Sequence, residues 1–332
     1  MTVYGFHASH EQVAPAVLLA AAVQAEQVGF TAAMCSDHFS PWSARQGESG
    51  FAWSWLGAAL QATEAIPFGV VNAPGQRYHP AIVAQAIGSL ASMYPGRFWA
   101  ALGSGEASNE HITGAAWPRK DVRNARLREC VDVIRALLRG EEVSHDGLVT
   151  VDRARLWTRP DTVPPLVGAA CSEATARWCA DWADGLITVN APVDQLRRIV
   201  DAYRSAGGTG PLHLQVHVSW AHDQDTALAI AHDQWRSNIH GPPASWDIDS
   251  AEVFDTVSEH VTPEQVARSV NVSDDLAQHA AWLQEYAELG FDAVMVHHVG
   301  REQGAFLDAF GSKVLPQLEV TRAPSYAVGG SR

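Results

Sequence analysis

The segment FTAAMCSDHFSPW, Phe30 to Trp42, sets an apolar run against an acid, an imidazole and an indole. Residues 32–35 lack polar alternation, which suits a strand covered on both faces, as in a parallel sheet. A strand leaving a core normally meets a turn. Here it meets Asp37-His38-Phe39 and then Pro41-Trp42. What that junction means depends on how often the chain repeats it.

Short apolar runs at 3–6, 32–35, 68–72, 98–103, 165–170, 185–189, 212–220 and 292–299 alternate with helix-like segments. Those segments fall at 14–28, 53–63, 79–93, 121–139, 172–183, 193–205, 224–238 and 302–316. Gly29, Gly96 and Gly290 each stand between a helix and the next strand, where a glycine cap belongs. Eight strand–helix units in 332 residues predict an α/β fold, a (β/α)8 TIM barrel. The expected domain is a single barrel over 1–317. Two stretches exceed a minimal barrel: a hairpin-like insertion near 141–160, turning at Asp146-Gly147, and a Pro-, Trp- and Asp-rich excursion near 240–262. Residues 318–332 read as a flexible tail.

Composition narrows the function. Apolar residues make up 47%, enough for a large core, and the net charge of −14 disfavours nucleic acid and anionic membranes as partners. Nothing resembles a signal peptide, and no apolar run approaches the ~20 residues of a membrane span. The four cysteines form no C-x-x-C pair and read as buried free thiols in a reducing, cytoplasmic setting. The expected partner is a small-molecule substrate.

In a barrel of this kind, active sites collect at the carboxyl ends of the strands. Those ends carry His7, Asp37-His38, Asn72, Gly103-Ser104-Gly105-Glu106, Gly168 onward, Asn190, Trp220 and His297-His298. A histidine can act as a base near neutral pH, and a neighbouring acid can orient it. Alternatively, Asp37 caps a turn and His38 packs. The glycines of 103–105 let backbone approach a planar ligand or an anion, or they simply serve a tight turn before Glu106. Ser172 opens a helix, either as a phosphate site or as an ordinary N-cap. No metal site is expected. His213 and His217 share one strand face about 13 Å apart at ~3.3 Å per residue, too far for one ion. His297 and His298 point to opposite faces, so at most one enters the site.

Taken together, these residues resemble a known family, the luciferase-like flavin/F420-dependent oxidoreductases, in the branch of F420-dependent glucose-6-phosphate dehydrogenases. The resemblance rests on ASHEQVAP (8–15), SDHFSPW (36–42), RYHPAIVAQA (77–86), YPGRFWAALGSGEASNE (94–110), ARLREC (125–130) and ADGLITV (183–189). Looser support comes from TPEQVAR (262–268) and ELGFDAVMVH (288–297). It implies the bacterial-luciferase-like barrel, and catalysis by Asp37, His38, Trp42 and Glu106. His38 would be the proton acceptor, Asp37 its orienting partner, Trp42 a wall and Glu106 an acid near the cofactor ring. It further implies cofactor contacts from His7, from Val71, Asn72 and Ala73 in a bulge that often holds a non-proline cis peptide, and from Gly103, Gly105 and Asn109. Gly168, Ala169, Ala170, Cys171 and Ser172 would lie near the cofactor phosphate. Glu11, Asn190, Trp220 and Trp246 would border the substrate. A homodimer is expected.

Two departures qualify this. TVNAPVDQ (188–195) has Ala191-Pro192, and EQVARSV (264–270) has Ser269, where the family places cations for a substrate phosphate. The expected substrate is therefore a neutral alcohol or sugar-like carbinol. The bulge is one residue short of the family's version, and the sequence resembles a sub-branch that uses FMN, so the cofactor reading is FMN or F420 with a lean to FMN. Two alternatives stay open: a monooxygenase using reduced FMN and oxygen, and a non-catalytic flavin-binding barrel.

Overall fold

The computed structural model describes residues 2–321. Numbered here in chain order, the barrel strands are β1 (Val3–Ala8), β2 (Ala32–Cys35), β3 (Phe68–Asn72), β4 (Phe98–Leu102), β5 (Leu166–Ala169), β6 (Leu186–Val189), β7 (Leu212–Ser219) and β8 (Ala293–His298). All neighbours pair in parallel, and β8 returns to β1 through Val3↔Ala293 and Phe6↔Val296, so the sheet closes. A two-residue strand, Asn271–Val272, hangs on β7. The observed spans follow the apolar runs of the sequence to within a few residues.

Parity along each strand decides what faces the barrel axis. Val3, Ala32, Met34, Trp99, Ala101, Val167, Ile187, Ala293 and Met295 form an inner cluster, while the alternate residues join the larger core against the helices. Trp99 fills the middle of the barrel. Its room comes from Gly69, its register partner on β3, where a Cβ would fall inside the indole. Above this plug the axis opens towards the carboxyl ends of the strands.

Both extra stretches are present. Val143–Asp146 and Thr150–Ala154 pair as an antiparallel hairpin, and 240–262 carries short helices at Ala244–Asp247 and Ala251–Val257. The helix Leu276–Glu288 precedes β8. Part of the expected tail is anchored: Val320 bridges Thr2, and Thr31 donates to the Thr321 carbonyl at 3.0 Å. Residues 322–332 lie outside the described residues. No helix of the described residues is long and apolar enough to cross a membrane.

Candidate active site

His38 is the hub of the strand ends. Its Nδ1 lies 2.6 Å from Glu11 Oε1, and its Nε2 lies 3.6 Å from Glu106 Oε2. Trp42 packs edge-on against the imidazole, with ring centroids 5.3 Å apart, and Phe254 backs Trp42 at 5.2 Å. Burial alone would lower the imidazole pKa. Glu11, by charge and hydrogen bonding, and then Glu106 outweigh burial and raise it to about 9. Glu11 is held in turn by Ser9 Oγ at 2.7 Å and Ser36 Oγ at 2.8 Å. Although buried, Glu11 stays well below the usual carboxylate range because it faces His38. Glu106 goes the other way: burial, with Glu11 and Glu110 adding to it, pushes its carboxyl up against the opposing pull of His38. Asn109 ties the hub together, donating to Glu106 at 3.2 Å and accepting from the Phe39 and Ser40 amides.

Asp37 does not orient His38, contrary to the expectation from their adjacency. It accepts from Asn72 Nδ2 at 2.6 Å and from the Tyr78 hydroxyl at 3.0 Å, and it faces Arg77 at 3.6 Å. Arg77 also meets Glu110 at 3.5 Å and donates to the Asp37 carbonyl at 2.6 Å. The reason is parity. Ala32 and Met34 point inward, so Asp37 continues the outward row, whereas His38 continues the inward one. Glu11, expected at the substrate mouth, takes the orienting place instead. The buried Asp37–Arg77–Glu110 group pins the 69–74 bulge from behind. That bulge is trans throughout: among the described residues the cis peptide is Pro242–Pro243.

The cavity above the Trp99 plug has a volume of about 900 Å³. One wall is built of small groups: Val71 to Ala73, Gly103 to Gly105, and Ala169 to Cys171. Gly105 has φ +81, and a Cβ there would crowd Glu110, Ala73 and Trp117 at 3.1–3.4 Å. The floor holds His7, His217 and His297, with ring centroids 4.6 Å apart for the first and third and 5.3 Å for the last two. Burial lowers all three, His7 to about 4 and His217 to about 3, so at neutral pH they are uncharged hydrogen-bonding groups. No group of His, Cys, Asp or Glu among the described residues has the geometry for a metal ion.

Comparison with known proteins places this geometry. Residues 2–296 match the model of the luciferase-like monooxygenase family. The chain belongs to that family. It is 35% identical to an F420-dependent glucose-6-phosphate dehydrogenase of Intrasporangium calvum, over 95% of this chain and 98% of the relative. It is 34% identical to a protein of the same name from Beutenbergia cavernae, over 95% and 96%. Among solved structures, an F420-dependent secondary alcohol dehydrogenase in complex with an F420-acetone adduct superposes with TM-score 0.88 at 29% identity, covering 95% of this chain and 98% of that one. At 18% identity and TM-score 0.73, an F420-dependent tetrahydromethanopterin reductase from Methanopyrus kandleri shares the fold.

Within this luciferase-like oxidoreductase, the cavity collects most of the expected site residues, Asn190 and Trp246 included. Three do not reach it. Gly168 faces Cys179, where a Cβ would come within 2.6 Å of the sulfur. Ser172 serves as the N-cap of Glu173–Cys179 through Thr175. Trp220 takes the outward parity of β7 and donates to the Asp274 carbonyl at 3.2 Å. Cys171 departs from the buried-thiol expectation, being only half-buried and lining the cavity. Sequence reading missed Lys120, Gln215, Trp282 and Tyr286. Gln215 shares the inward parity of His213 and His217 and could have been found. The other three sit on helices, where no strand-end rule applies.

Proposed function

We propose that this protein is an F420-dependent alcohol dehydrogenase, oxidising a neutral carbinol or reducing the matching ketone. The observation that carries the reading is His38 held between Glu11 and Glu106, against Trp42, at the mouth of a cavity with a wall of small residues. The sequence leans to FMN, but the relatives at 35% and 34% are named for F420, and the structure at 29% identity holds an F420 adduct. These names move the cofactor reading to F420. The cavity suits it: Gly103, Gly105, Ala73 and Ala169 leave a flat space that larger side chains would fill. A deazaflavin bound there supplies the hydride acceptor.

The chain's own residues handle the proton and the positioning. His38 Nε2 takes the hydroxyl proton during oxidation and returns it during reduction. Glu11 fixes the ring through Nδ1 and stabilises the imidazolium. Glu106, drawn towards its protonated form by burial, lies beside the same nitrogen. Trp42 and Phe254 keep water from the reacting carbon. Because the free-enzyme imidazole titrates at about 9, oxidation by a neutral His38 increases as pH rises towards that value, and reduction by the imidazolium falls above it. Ala191, Pro192 and Ser269 line the cavity where a phosphate grip would need cations, and Arg268 sits exposed at its rim, which favours a neutral substrate.

The test is a titration of the purified protein with F420 and with FMN. Secondary alcohols and glucose 6-phosphate are then assayed across pH with whichever cofactor binds, alongside oxygen uptake with reduced FMN. Alcohol-dependent reduction of F420, rising towards pH 9, is expected. Oxygen consumption with FMN and none with F420 would replace this reading by a monooxygenase.

A further inference from the structure

Three Lys and Arg side chains line the cavity, and two are accounted for. Arg77 is buried against Asp37 and Glu110, and Arg268 is exposed to solvent. Lys120 is half-buried and differs from both. Its ammonium donates to Ser104 Oγ at 2.6 Å and sits over the Trp246 ring at 4.5 Å. Among the described residues no carboxylate forms an ion pair with it, although the chain carries 37 acids against 23 Lys and Arg. The neighbouring Arg123 does have one, Asp247 at 3.3 Å. A cation withdrawn from water without a counter-ion is costly unless an anion arrives from outside. Burial and the nearby Arg123 accordingly lower the Lys120 pKa. The ammonium is also fixed rather than free to swing into solvent, since Ser104 holds one proton and the indole face covers another side.

We propose that Lys120 is a phosphate-recognition residue, pairing its Ser104- and Trp246-fixed ammonium with a phosphate of the ligand that fills the cavity. Ser104 lies between Gly103 and Gly105, on the small-residue wall that also includes Ala169 to Cys171, so the phosphate would arrive beside the space left for the cofactor. The cofactor's phosphodiester is the expected source. That part rests on the F420 reading, whereas the charge argument does not. The residues usually expected to grip a substrate phosphate, near 191 and 269, are on the opposite half of the barrel and uncharged here.

The experiment compares ligands with and without their phosphate-bearing side chain, the FMN–riboflavin pair differing in the phosphate alone. Wild type, Lys120→Met and Lys120→Arg are titrated by fluorescence with F420 and with its neutral deazariboflavin core, and with FMN and riboflavin. Melting temperatures without ligand establish that the variants are folded. A charge-assisted hydrogen bond contributes roughly 1.5–3 kcal/mol, which is about 10- to 100-fold in affinity. Lys120→Met is expected to weaken F420 by that factor, leave the phosphate-free core unchanged and reduce the salt dependence of binding. Lys120→Arg should retain most of the affinity. Unchanged F420 affinity, with a raised KM for a phosphorylated substrate but not for its neutral counterpart, would also support phosphate recognition and make the substrate its source. Equal weakening of the charged and neutral members, or no change in any, would overturn the inference. Wild-type protein that binds FMN and not F420 would overturn the cofactor reading alone, and the FMN–riboflavin pair would then decide the role of Lys120.

Discussion

The two halves of the barrel build unlike walls. From β1 to β4 and the loops after them come Glu11, Asp37, His38, Arg77, Glu106 and Glu110, a dense set of ionisable groups in mutual contact. From β5 to β8 come Ala169, Asn190, Ala191, His217 and His297, with Trp235 behind them. Their histidines are pushed neutral by burial, and His297 shares a hydrogen bond of 2.7 Å with Gln12. Proton transfer needs groups whose charge can change and whose neighbours respond. Selection of a neutral ligand needs polar atoms without charge. The first half suits the former and the second half the latter.

Removing the hub tests the division most severely. His38→Ala is expected to cut alcohol turnover by roughly 10²–10⁴ while cofactor affinity stays within a fewfold, since the imidazole acts on the substrate proton. Turnover near wild type would mean that the charged wall is merely structural. Within that wall, Asp37 and Glu11 should then behave differently. Asp37→Ala leaves Arg77 buried with Glu110 alone and orphans Tyr78. It should cost about 3 kcal/mol, read as a lower melting temperature, with the pH profile of kcat/KM unmoved. Glu11→Gln keeps an oxygen facing Nδ1 but loses the charge that holds His38 at about 9. The oxidation profile should therefore shift to lower pH, with neutral His38 present at more acidic values and the reduction limb shifting with it. If Asp37→Ala moves the profile and Glu11→Gln does not, the orienting roles are the reverse of those described.

The contrast between Asp37 and Glu11 also marks how far the sequence could be read. The strand positions were legible because the barrel strands are apolar on both faces and the helices between them are closed by glycine, as at Gly29 and Gly290. The residue types of the site were legible because they cluster at strand ends. Direction was partly legible. The rule that successive residues on a strand face opposite ways would have separated Asp37 from His38 and turned Gly168 and Trp220 away from the cavity, as it correctly separated His297 from His298. His298 indeed stacks on Phe306 outside the barrel, with centroids 4.7 Å apart. The partner of His38 was not legible. Glu11 lies in a loop 27 positions earlier, and only the pairing of β1 with β2 brings the two together. Lys120, Trp282 and Tyr286 were equally hidden, because they enter from helices whose sequence reports an amphipathic face and not its distance from the barrel axis.

The uncharged wall can be tested by charging it. Ala191 is half-buried, lines the cavity and follows Asn190, whose amide donates to the Ser269 carbonyl at 3.1 Å and accepts from the His217 backbone at 3.2 Å. A lysine at 191 would extend from this braced loop with room to reach solvent when no anion is present, so the folded state should tolerate it. With a phosphorylated sugar in the cavity, the new ammonium would sit beside a dianion that the natural wall leaves uncompensated. A partly exposed pair contributes on the order of 1 kcal/mol, so Ala191→Lys should improve kcat/KM for glucose 6-phosphate by about fivefold and leave a neutral secondary alcohol within twofold. Because the pair is partly exposed, that gain should shrink as ionic strength rises, which a packing effect would not do. An equal change for both substrates, insensitive to salt, would mean that the wall discriminates by shape instead of charge.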